Sequence, residues 1–132
     1  SGRALQTAPA RFAERLYLSY PTLPQDRDPA TLDEVSRLLQ GNERASAHVQ
    51  AVISAYSSCT VLIEALRRAG RKLSRQRLSE ELEDLYQFQT GLTPPITFTA
   101  NRRIGARGAY VVTPAALVEG RLPESVSWVE AD

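Results

Sequence analysis

Residues 90–112, TGLTPPITFTANRRIGARGAYVV, hold two β-branched and aromatic runs, PPITFTA and GAYVV, on either side of NRRIGARG. The chain before them reads mainly as helix, so their pairing separates a helical bundle from a mixed α/β structure. Asn101, Gly105 and Gly108 supply turn chemistry, and the expected outcome is a β-hairpin over 95–113 followed by a tail over 114–132. Pro94 and Pro95 fit a strand start on an edge, where no ladder donor is needed. Arg102, Arg103 and Arg107 also raise an anion grip. The stretch lacks the G-x-x-x-x-G-K-[ST] spacing, has no interleaved aromatic platform, and leads into no helix whose N-terminus could hold a phosphate. A turn carrying solvated arginines is the reading that fits.

Upstream, residues 4–14 read as a short helix broken by Pro9, and RLYLSYP over 15–21 as a strand stopped by its proline. Asp28-Pro29 with Thr31 and Glu34 is helix-start chemistry, and Gly41 is a stop, giving a helix over 30–40. From 45 to 69 apolar residues recur at three- and four-residue steps, which predicts a long helix with a broad buried face. That face includes Cys59. Ser74 caps a further helix over 74–87 in which Leu78, Leu82 and Leu85 form one stripe. The order is α/β and helix-rich, with too few strands to make a covered parallel sheet.

The 132 residues suffice for one domain, and 42% hydrophobic with 23% charged residues places the chain in the globular class. Fifteen acids offset sixteen cations, leaving a net charge of +1, so long-range attraction to a polyanion is weak. No uninterrupted apolar run approaches the roughly 18 residues of a membrane span. A lone cysteine excludes an internal disulfide.

The residues that could do chemistry are few. His48 and Cys59 stand about 16 Å apart along one helix, beyond the reach of a nucleophile–base pair. Asp26-x-Asp28 lacks the remaining ligands, glycine and terminal Glu of a calcium loop. The acids Glu80, Glu81, Glu83 and Asp84 lie at helix-pair spacings from Arg75 and Arg77 and read as a charge-laced face. Catalytic residues, metal and cofactor are therefore not expected.

The ordered phrases ARFAERLYLSYP, AVISAYSSCTVLIEALRRAG, KLSRQRLSEELEDL, TGLTPPITFTANRR and GAYVV resemble, over about residues 5 to 113, the C-terminal part of type I periplasmic solute-binding proteins of branched-chain amino acid ABC transporters. The resemblance implies a fragment of a two-lobed, Rossmann-like fold that closes on a small ligand, with the first two-thirds of such a protein absent. It implies a periplasmic, non-catalytic binder of an amino acid or related organic acid, working with an ABC permease. It carries no implication of nucleic-acid binding or membrane insertion. The position that stacks on the ligand falls at Ala51, and Tyr20, ending the early strand, is the second cleft residue implied. Where the family often has a Gly-Asp turn this chain has Asn101-Arg102-Arg103. With much of both sheets missing, strand edges and helix faces would be uncovered, and homodimerisation is expected. The alternatives are a small self-associating interaction domain and an arginine-based anion or nucleic-acid binder.

Overall fold

A computed structural model describes Phe12 and residues 15–42, 48–114 and 126–130. The fold is mixed α/β, helix-rich, with one small antiparallel sheet of three strands. The chain forms two compact units: Ser1–Gln25 together with Arg107–Asp132, and Asp26–Ala106 between them.

The first unit is built on strands β1 (Leu18–Tyr20), β2 (Gly108–Val112) and β3 (Trp128–Glu130), in the order β1-β2-β3. β1 pairs antiparallel with β2 through Leu18↔Val112 and Tyr20↔Tyr110, and β2 with β3 through Tyr110↔Trp128 and Gly108↔Glu130. Directly opposed residues share a face, so Tyr20, Tyr110 and Trp128 form one aromatic row. Tyr110 and Val112 are buried on that face, while Ser19, Val111 and Val129 on the other are exposed. The Tyr110 and Trp128 rings meet edge to face, centroids 4.9 Å apart at 75°. Gly108, at φ +155°, lets the indole close down: a Cβ there would strike the Val129 carbonyl and lie 2.6 Å from Trp128 Nε1. Gln25 fastens the same sheet, its Nε2 donating to the Val126 carbonyl (3.2 Å) and its Oε1 accepting from Val126 N–H (2.9 Å).

The second unit carries helices α1 (Pro29–Leu39), α2 (Val49–Ala69) and α3 (Arg75–Glu83). α1 starts as its sequence dictates. Asp28 accepts from Thr31 N–H (2.9 Å) and from the Thr31 hydroxyl (2.8 Å), and Pro29 supplies a pre-set φ. Asp28 N–H in turn donates to the Gly91 carbonyl (2.8 Å). Gly91 has φ +79°, and a Cβ there would collide with the Thr31 side chain. Val35, Ile53 and Leu92 make the core of this unit, flanked by Leu32, Leu39, Val52 and Tyr56. Along α2 the buried positions are Ile53, Ser57, Val61, Ala65 and Ala69, a strict four-residue stripe of mostly small residues. Small residues allow close approach of backbones, and α3 packs on this helix.

Four sequence expectations change. The 95–113 hairpin does not form, because Ile96, Thr97 and Phe98 commit their backbone groups elsewhere. Phe88 and Ile96 exchange two bonds (2.8 and 2.9 Å), Thr97 N–H donates to Gly105, and Phe98 N–H donates to Leu85. GAYVV is instead the central strand, paired on both sides. The tail contributes β3, and 115–125 lie outside the described residues, as does nearly all of 4–14. The last helix ends at Glu83 rather than 87, since Leu85 turns fully inward and its carbonyl serves Phe98. Cys59 is exposed, because burial on α2 is confined to the four-residue stripe.

Candidate functional site

The two residues implied as ligand contacts belong to different units. Tyr20 is half-buried at the end of β1, five positions before the chain leaves the first unit. Its place in the aromatic row follows from the alternation of LYLSY, which puts Leu18 and Tyr20 on the covered face. Ala51 is exposed near the start of α2, two positions ahead of the core residue Ile53. Val49, the neighbouring apolar position, is exposed as well.

Within the second unit a concave surface lies between α3 and the turn at 99–102. One hollow of about 200 Å³ is lined by Ser79, Leu82, Glu83, Phe98, Arg102 and Arg103. Its lining surface is mostly apolar. Arg102 is not a free cation there: its Nε donates to the Ile104 carbonyl (3.1 Å) and its terminal nitrogen to the Gly105 carbonyl (3.4 Å). Those bonds clasp the 104–105 backbone just after the tight turn in which Thr99 and Arg102 exchange backbone bonds of 3.0 and 2.9 Å. The solvated-turn expectation therefore holds for the exposed Arg103 and Arg107 and fails for Arg102.

Among the described residues two titrating groups are displaced, both chiefly by hydrogen bonds. Asp28 is lowered, chiefly by the Thr31 backbone N–H and then by the Thr31 hydroxyl that it accepts at the helix cap. Tyr56 is raised, chiefly by donating its phenol proton to Glu34 Oε2 (2.9 Å) across α1 and α2. Neither lies beside a nucleophile. Arg77 pairs with Glu81 (2.6 Å), and Arg67 and Arg68 with Glu64 (3.5 and 2.8 Å), as helix spacing anticipates. Among the described residues no group of three or more His, Cys, Asp or Glu side chains is placed to hold a metal.

The feature that sequence reasoning undervalued is the outer face of α2. Residues 49–63 contain no charge, and Cys59, Leu62, Ile63 and Leu66 are all exposed. With its following turn the helix, Val49–Lys72, is long and apolar enough to cross a membrane by length and composition, and 22% of its apolar window is buried. The expectation from uninterrupted runs missed this, because Ser and Gln break the run without adding charge. Charge-free length was the signal available.

No family model, no curated protein and no solved structure matches this chain.

Proposed function

We propose that this chain is the C-terminal part of a two-lobed, non-catalytic solute-binding protein that serves ABC-type transport in the periplasm and takes an amino acid or related organic acid. The observation that carries the reading is the division of the chain. It passes from one compact unit to another after Gln25 and returns after Ala106, and the sheet of the first unit is assembled from segments on both sides of that excursion. A chain that crosses repeatedly between two lobes has this organisation, and closure about such crossings is how two-lobed binders hold ligands. The order of the sequence phrases supports the same reading. On it, an ABC permease receives the loaded protein, and the uncovered face of α2 packs against the rest of its lobe. The natural polypeptide tests this: the reading requires a further stretch upstream long enough to complete both sheets, behind a secretory signal. A natural chain that starts near Ser1 would sink it.

One observation favours a second reading, a self-associating interaction domain. The exposed Leu62, Ile63 and Leu66 form a contiguous apolar strip of the kind that buries against a partner. The readings part on mass in solution. The interaction domain is dimeric at natural length, whereas the solute binder is monomeric there and self-associates only when cut to these residues.

A further inference from the structure

The cations of this chain are unevenly spread. Between residues 67 and 77 stand Arg67, Arg68, Arg71, Lys72, Arg75 and Arg77 with no acid among them. They occupy one end of the helix pair: the last turn of α2, the 3-10 turn Gly70–Lys72 and the first turn of α3. Arg67 and Arg68 suit the negative end of α2 and share Glu64; Arg77 is held by Glu81. Arg71, Lys72 and Arg75 are exposed and have no ion-pair partner among the described residues. Helix-end electrostatics does not require them, and three uncompensated cations this close together repel one another.

Leu73 sits between them in sequence, 55% exposed, and Leu66, near the end of α2, is 37% exposed. An apolar side chain standing among cations is poorly suited to a polyphosphate or a nucleic acid, which would ask for aromatic stacking or further donors. It is well suited to a bilayer interface, where cations meet lipid phosphates and the leucine enters the headgroup boundary.

We propose that this end of the helix pair, Arg71, Lys72 and Arg75 with Leu73 at their centre, is a docking surface for an anionic lipid bilayer. The contact is peripheral: α2 stays folded against α1 and α3, and only its tip touches the membrane. This inference is independent of the solute-binding reading, because it uses the charge and exposure of the tip alone.

The test is co-sedimentation of the 132-residue chain with phosphatidylcholine vesicles that contain or lack phosphatidylglycerol. Binding is expected only with the anionic lipid, weakening steeply from roughly 50 to 300 mM salt as charges are screened. Neutralising the patch with Arg71→Gln, Lys72→Gln and Arg75→Gln should lower partitioning about a hundredfold, at about fivefold per cation. Leu73→Ser should lower it about tenfold with the charge untouched. Arg15→Gln, Arg37→Gln and Arg107→Gln change net charge equally at exposed positions elsewhere and should have little effect. Equal loss from that control set overturns the assignment, as does absence of binding at low salt. Carbonate-resistant association, which would mean that α2 inserts, also overturns it. So does heparin binding as tight as vesicle binding and indifferent to Leu73→Ser.

Discussion

Replacing Gly108 with Ala should dismantle the aromatic side of the sheet. Gly108 holds φ +155°, where an L side chain is strained by about 1–2 kcal/mol. The added methyl would also meet the Val129 carbonyl, a backbone group that cannot swing aside, and the Trp128 indole at 2.6 and 2.7 Å. Overpacking of that kind costs about 1–3 kcal/mol, so the sum is about 2–5 kcal/mol, a large share of ordinary domain stability. Trp128 is the only tryptophan, so its fluorescence reports this sheet directly, while far-UV circular dichroism is weighted to the helices. With a urea slope of about 1–2 kcal/mol/M, the fluorescence midpoint should fall by at least about 1 M. A midpoint within about 0.3 M of wild type would refute the packing argument.

Ser57 is 4% exposed and its hydroxyl finds no partner among the described residues, so Ser57→Ala should stabilise the helical unit by about 1 kcal/mol, seen as a higher thermal midpoint; destabilisation would mean the hydroxyl is satisfied. The bond from Tyr56 to Glu34 favours the neutral phenol, so its folded pKa lies above the unfolded value near 10. The stabilisation is fully present below that unfolded value and lost as pH rises through the folded one. Wild type should thus exceed Tyr56→Phe by about 0.5 kcal/mol at neutral pH and converge with it in strong alkali, a gap that denaturant melts can follow. Arg102→Ser should cost about 1 kcal/mol by releasing the Ile104 and Gly105 carbonyls, whereas Arg103→Ser should be nearly silent; equal melting temperatures for the two would remove the clasp.

Local chemistry was legible in the sequence wherever its cause was local. Asp28-Pro29 and Thr31 start α1 and Ser74 caps α3, each through bonds spanning three residues. The pairing of Gly108–Val112 with Leu18–Tyr20 was not legible, because the register joins residues about ninety positions apart and nothing in either segment names its partner. The same holds for Trp128–Glu130, whose three residues are too few for a periodicity. Burial on α2 was overread: an apolar period marks every face that could be covered, and here only the Ile53-to-Ala69 stripe is fully buried, with Val52 and Tyr56 partly covered beside it. The positions Tyr20 and Ala51 come from resemblance, and neither burial nor a hydrogen bond singles them out as a pair.

The most direct measurement is thermal stability of the natural-length polypeptide against a panel of amino acids and small organic acids. If this chain closes the cleft of a solute-binding protein, at least one compound should raise the midpoint in a saturable way. At a hundredfold excess over its Kd the gain should be about 2.7 kcal/mol, and Tyr20→Ala or Ala51→Trp should weaken it. A natural-length protein that folds well and shows no shift with any member of the panel would contradict the account.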